Sequence, residues 1–168
     1  MLRVFYTDDQ PLGSALKQAL PRGATVHELS RRTGKKLFGT GRVSRTFAVA
    51  EVKAAPVLAD VVGLRRDLVV LEAPGISGNV GAVIRTAVAF GVGGVVLLDT
   101  ELDPYDRRLI RASRGHVFSL LVVRATTAAF LDLWTRQGRP LLVTDPHAAH
   151  AAEDVRALRG PLALAFGS

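Results

Sequence analysis

The chain has 168 residues, 48% of them hydrophobic, a formal net charge of +7 and no cysteine. That length suits one ordinary domain or two small ones and lets roughly 70% of the unfolded surface be buried without staples. Disulfides, thiolate catalysis and cysteine-ligated zinc are excluded, no run reaches about 18 apolar residues, and M-L-R-V-F-Y is not a signal-peptide start, so neither a membrane span nor a leader is expected. The charge is uneven: residues 1–66 hold 12 Lys/Arg against 5 Asp/Glu, whereas residues 67–168 hold 10 of each. A localised excess points to a polyanion-binding module joined to a neutral one.

Leu2 to Tyr6 alternates as a short strand. Pro11 starts a predicted helix to about Leu20, with Leu12, Ala15, Leu16 and Ala19 on one face. Ala24 to Glu28 is a second strand. Ser30 caps a predicted helix over Arg31 to Phe38, which Gly39 and Gly41 end, and Arg45 to Val52 is a third strand. Ala54 to Arg66 reads as a linker. From Asp67 strands and helices alternate: strands at Asp67–Glu72, Val95–Asp99, Leu120–Arg124, Leu141–Thr144 and Leu162–Phe166, with a helix from Thr126 or Thr127 to about Gln137, closed by Gly138. This order predicts a parallel, Rossmann-like sheet with right-handed crossovers.

Three basic features carry candidate chemistry. The first is N-V-G-A-V-I-R-T-A-V-A-F-G, Asn79 to Gly91, where a small turn leads from a buried strand into an apolar helix. In α/β proteins ligands collect at such carboxyl ends of strands. Asn79 reads as an N-cap or a site residue. Arg85, flanked by Ile84, Val88 and Ala89, either snorkels to solvent or supplies a fixed positive charge to a site. The second is Asp106 to Leu120, where Arg107, Arg108, Arg111 and Arg114 recur at helical spacing, as a phosphate-contacting face or as a solvated face paired with Asp103 and Asp106. The third is Arg31, Arg32, Lys35, Lys36, Arg42 and Arg45, with no acid between them, as a polyanion-phosphate surface or a solvated helix face. Asp145, His147 and His150 lack a third strong ligand, so no metal site is expected. Gly75, Gly78 and Gly81 do not form a dinucleotide fingerprint, and Ser77 is not in a nucleophile elbow.

The segment from Asn79 to Gly91 resembles the first motif of the SpoU/TrmH branch of the SPOUT RNA methyltransferases, N-x-G-A-x-x-R-T-A-x-A-F-G. Asn79, Gly81, Ala82, Arg85, Thr86, Ala87, Ala89, Phe90 and Gly91 stand where that pattern wants them. R-A-S-R-G-x-x-F-S-L further on resembles the matching stretch of the thiostrepton- and nosiheptide-resistance enzymes, which methylate a 23S ribosomal RNA adenosine at the ribose. The resemblance implies an α/β protein with an L30e-like RNA-binding sandwich over 1–53, a linker over 54–66 and a SPOUT methyltransferase domain over 67–168. It implies S-adenosylmethionine as cofactor, ribosomal RNA as partner, a homodimer, a cytoplasmic location and a role in antibiotic resistance. Arg85 and Asn79 become the catalytic candidates. Arg31, Arg32, Lys35, Lys36, Arg42, Arg45, Arg108, Arg111 and Arg114 become RNA contacts, and Gly167 and Ser168 the start of a second, cofactor-binding motif. The rest of that motif and the third are not in the sequence, so a fragment of a longer enzyme is expected. The alternative is a non-catalytic RNA-binding protein.

Overall fold

The computed structural model describes residues 1–38, 45–52, 54–149 and 151–167. It divides into two compact units, Met1–Lys53 and Ala54–Ser168.

The first unit is built on a three-stranded sheet. Strand β1 (Leu2–Thr7) is central, β2 (Thr25–Leu29) runs parallel to it and β3 (Thr46–Ala50) antiparallel. Cross-strand register aligns His27, Phe5 and Phe47 in one row. Their rings stack at 5.1 and 4.9 Å, and Phe38 meets Phe47 edge-on at 4.9 Å. Helix α2 (Arg31–Phe38) starts as its sequence predicts, with Ser30 Oγ accepting from Thr33 N at 3.2 Å. Helix α1 (Ser14–Ala19) does not follow its expected apolar face. Gly13 is extended, so the helix begins three residues after Pro11, and Leu12 is buried ahead of it while α1 itself buries nothing. Gly39 and Gly41 lie outside the described residues.

The second unit is a five-stranded parallel sheet with helices on both faces. Its strands are β4 (Leu68–Glu72), β5 (Gly94–Leu98), β6 (Leu121–Ala125), β7 (Leu141–Val143) and β8 (Ala163–Phe166), ordered β6-β5-β4-β8-β7. Continuous apolar strands such as L-V-V-L and G-V-V-L-L are what a sheet covered on both faces requires. Even-numbered Leu68, Val70, Val96 and Leu98 face α3 (Leu58–Val62) and α6 (Thr127–Thr135), where Phe130 and Trp134 stack at 5.7 Å. Odd-numbered Val69, Leu71, Val95 and Leu97 face α4 (Ser77–Ala89) and α5 (Arg107–Ala112). The last strand, β8, is inserted between β4 and β7. The chain order therefore reverses beside β4, and the crevice for a ligand opens at the carboxyl ends of β4 and β8.

The expected linker over 54–66 is largely structured. Its L-A-D-V-V stretch forms α3 after an extended Val57, and Val61 and Val62 are buried in the sheet's core. The segment is tied down further by cations. Arg139 donates to the carbonyls of Val62 and Leu64, the latter at 2.7 Å, while its guanidinium lies 4.1 Å from the Trp134 ring centroid. Burial lowers the Arg139 pKa from its ordinary value. Arg66 donates to the Gly91 carbonyl at 2.5 Å.

Gly81 sets how closely α4 and α5 cross. A Cβ there would come within 2.5 Å of the Ala112 carbonyl carbon and Cβ and 2.7 Å of Ser113 N. In an open helix, Gly→Ala is stabilising by roughly 0.5–1 kcal/mol. Here the sign reverses: Gly81→Ala is expected to destabilise by about 1–3 kcal/mol, as overpacking does, read from the midpoint of urea denaturation.

Candidate RNA-modification site

The β4–α4 turn is held in place from β5. Thr100 Oγ1 donates to the Pro74 carbonyl at 2.9 Å, and Ala73 N donates to the Leu98 carbonyl at 3.0 Å. Ala73 takes a left-handed φ of 41°, which turns the chain sharply away from the strand. Helix α4 then starts at Ser77, with Ile76 at the N-cap and no side-chain cap. Asn79 is thus inside the first helical turn and exposed, which removes the N-cap reading.

Arg85 lies further along the same helix and is half-buried. Its Nη1 donates to the Ala112 carbonyl at the end of α5. A cation there meets the negative end of a helix and one of its unpaired carbonyls. Arg85 is therefore a fixed charge rather than a snorkelling one. A guanidinium has five N–H donors, so this bond leaves most of its hydrogen-bonding capacity available. Six residues of α-helix separate Asn79 from Arg85 by about 120° around the axis, so the two do not share one helix face.

At the mouth of the crevice, Glu72 ends β4 and Gly167 follows β8. A Cβ on Gly167 would lie 2.9 Å from Glu72 Oε2, the free end of an exposed side chain, so the two residues are neighbours at this mouth. Glu72 is exposed, and no hydrogen bond or ion pair joins its carboxylate to another described residue. Sequence reasoning passed it over; an acid closing the apolar run L-V-V-L was the available signal. Ser168 lies outside the described residues. The other acid at these strand ends, Asp99, is already engaged: its carboxylate accepts from Thr127 Oγ1 at 2.5 Å and from Thr127 N, at the start of α6.

The arginines after β5 fall into two groups. Arg107, Arg108 and Arg111 are exposed on α5, whereas Arg114 lies beyond it at φ 53°, so the helical spacing breaks at the last of the four. Asp106 caps α5, accepting from Arg108 N at 2.7 Å, and Asp103 accepts from Tyr105 N at 2.8 Å. Among the described residues neither acid pairs with an arginine side chain of this group, so the paired-face reading fails.

In the first unit the cluster is split. Asp9 approaches Arg31 at 3.6 Å and Arg45 at 3.5 Å. The sequence between those two arginines has no acid, yet β1 delivers one in space. Arg32, Lys35 and Lys36 remain exposed without an ion pair to a described residue; Arg42 lies outside the described residues. Near the end of β7, His147 N bonds Asp145 Oδ1 at 2.7 Å, and His150 is not described. No group of three metal-ligating side chains occurs among the described residues, and no helix among them is long and apolar enough to cross a membrane.

A groove of about 410 Å³ lies between α4 and β8, lined by Ala82, Val83, Thr86, Phe90, Leu164 and Phe166 among others. It includes neither Arg85 nor Asn79. It is an apolar face beside the crevice rather than the polar site itself.

Fold and site together define a parallel α/β domain whose ligand crevice carries an arginine-anchored helix. The SpoU rRNA Methylase family model matches residues 67–168. The chain belongs to that family. It is 36% identical to the 23S rRNA (adenosine(1067)-2'-O)-methyltransferase of Streptomyces laurentii over 98% of this chain and 62% of the relative. It is 32% identical to the enzyme of the same name from Streptomyces azureus, over 99% of this chain and 63% of the relative. Among solved structures, the SpoU methyltransferase AviRb of Streptomyces viridochromogenes superposes with a TM-score of 0.77 at 24% identity, covering 99% of this chain and 66% of that one. An RNA 2'-O ribose methyltransferase superposes at 0.69 with 27% identity, covering 98% of this chain and 62% of that one. The chain spans about three fifths of the length of the two Streptomyces relatives.

The Asp9 contacts make a pH prediction. A hydrogen bond from Thr7 lowers its pKa from the ordinary 3.8, and Arg45 and Arg31 add to that against a desolvation cost. A depressed carboxylate pKa contributes stability that is present above the unfolded value and lost as pH falls through the folded one. Below about pH 3.8, Asp9→Asn should therefore lose less stability than the parent, measured by thermal unfolding against pH.

Proposed function

We propose that this chain is the RNA-capturing unit and much of the catalytic domain of a ribose 2'-O-methyltransferase acting on ribosomal RNA, with S-adenosylmethionine as methyl donor. The observation that carries it is Arg85, a half-buried guanidinium on α4, the helix that follows β4, held on the carboxyl end of α5. The two Streptomyces relatives named for 23S rRNA adenosine methylation support the substrate class. The proposal extends to a role in resistance to ribosome-targeting antibiotics, a homodimer and a cytoplasmic location, as the motif resemblance implies.

The residues present suit the methyl donor at the part of the pocket they form. Gly167 passes close to Glu72, and Glu72 offers an unpaired carboxylate at the crevice mouth. These two would hold it, and when bound it supplies a sulfonium methyl to an oxygen nucleophile. The chain's own work is positional. A guanidinium has five N–H donors and no acceptor, so Arg85 serves as a donor and not as the base for the ribose hydroxyl. It orients the adjoining phosphate and stabilises charge growing on the oxygen. Holding the reacting groups in line supplies up to about 7–11 kcal/mol in favourable cases. Asn79, exposed in the first turn of α4, is assigned to hydrogen bonding with the nucleotide.

RNA capture falls to the cations left without partners: Arg32, Lys35 and Lys36 on α2, and Arg108, Arg111 and Arg114 at α5. Arg31 and Arg45 contribute less, because Asp9 already meets them. The non-catalytic alternative, an RNA-binding protein with a truncated catalytic fold, uses the same cations and differs in that it neither binds the methyl donor nor transfers its methyl group.

Two experiments test the reading. In the full reading frame, Arg85→Ala should lower methyl transfer from labelled S-adenosylmethionine into 23S rRNA by about 10²-fold or more, the scale of losing one positioned donor, with RNA affinity within a few fold. Turnover near the parental rate sinks the role given to Arg85, and no transfer by the parent favours the non-catalytic alternative. Separately, replacing Arg32, Lys35 and Lys36 with alanine should flatten the slope of log affinity against log salt by about two units, at roughly 0.7–0.9 per phosphate contact. An unchanged slope returns α2 to a solvated face.

A further inference from the structure

One aromatic pair is absorbed by nothing above. Tyr105 stands just before the N-cap of α5, and Phe118 in the 3-10 turn, His116–Phe118, that follows it. Their rings stack with centroids 6.1 Å apart and planes 18° apart. Both ends of the pair are braced by backbone bonds, Tyr105 N to Asp103 Oδ1 at 2.8 Å and Phe118 N to the Gly115 carbonyl at 3.0 Å. Phe118 is nevertheless 63% exposed. The residues between the two rings include Arg107, Arg108, Arg111 and Arg114, whose side chains make no ion pair with a described residue.

We propose that Phe118, backed by Tyr105, is a stacking platform for an unpaired nucleobase, and that the α5 arginines hold the phosphates on either side of it. The inference rests on the RNA reading above and adds the kind of RNA: a single strand or loop. Base faces in a duplex are already stacked on one another, whereas an unpaired base has a face to offer, and aromatic stacking accepts any base. A second copy of this chain is a poorer occupant. Under twofold symmetry the patch would meet itself, setting four arginines against four. A polyanion with flat apolar bases matches both halves of the patch.

The test uses the whole chain and a short single-stranded RNA carrying one 2-aminopurine, alongside the same strand in a duplex. The parent should bind the single strand more tightly than the duplex and quench the 2-aminopurine. Phe118→Ala should weaken single-strand binding by about fivefold or more, the low end of what one stacked base contributes, and abolish the quenching. Its salt slope should stay unchanged, because no charge is removed. Phe118→Trp should restore affinity and quenching. Single-strand affinity within twofold of the parent in Phe118→Ala, with quenching intact, overturns the platform while leaving salt-sensitive RNA binding, and with it the broader reading, in place. Dissociation of an oligomer by Phe118→Ala in sedimentation overturns it in favour of a self-contact. Absence of RNA binding by the parent overturns both.

Discussion

The site depends on the crossing of α4 and α5. There a glycine backbone lets two helices touch, and an arginine from one helix caps the carboxyl end of the other. The two features reinforce each other. Contact at Gly81 brings Ala112 within reach of Arg85, and the bond to Ala112 satisfies a carbonyl that the end of a short helix would otherwise leave open. A flexible arginine loses several rotatable bonds when it is ordered. Paying that cost in the folded protein leaves a cation that is already oriented when an anionic ligand arrives.

Positive charge is used in two ways across the chain. Arg66, Arg85 and Arg139 bond backbone carbonyls, and Arg31 and Arg45 meet a carboxylate. These brace helix ends and loops. Arg32, Lys35, Lys36 and the arginines of α5 are left open, where long-range attraction for a polyanion operates and salt weakens it. The net charge of +7 therefore overstates the first unit's free binding surface and, by counting the second unit as neutral, hides the local basic patch at α5. Acids of the second unit are engaged without pairing those arginine side chains: Asp99 bonds the start of α6, Asp106 accepts from the backbone at the start of α5, and Asp132 pairs with Arg136 at 2.7 Å.

Much of this was legible because it is local. Apolar runs of four or five residues marked the parallel strands, Ser30 marked a helix start that its side chain does cap, and of the two candidates Thr126 and Thr127 it is Thr126 that caps α6. The thirteen residues from Asn79 pointed to the strand-turn-helix corner where the crevice opens. What stayed hidden is long-range. Asp9 is more than twenty residues from Arg31, so pairing them needs the β1–β2 register. The insertion of β8 beside β4 joins residues almost a hundred positions apart, as Leu68 opposite Ala163 shows. The α3 helix is only five residues long, too short for a periodic signal, and gains its stability from burial of Val61 and Val62. Gly81 was visible as a letter in a motif, but the Ala112 backbone that requires it was not.

The most direct measurement is a structure of the full reading frame bound to an RNA oligonucleotide and a methyl-donor analogue. The account predicts one nucleotide at the carboxyl ends of β4 and β8, its ribose and 3'-phosphate within hydrogen-bond reach of the Arg85 guanidinium, which still holds the Ala112 carbonyl. A target nucleotide seated away from that crevice, with Arg85 contacting only protein, would contradict it.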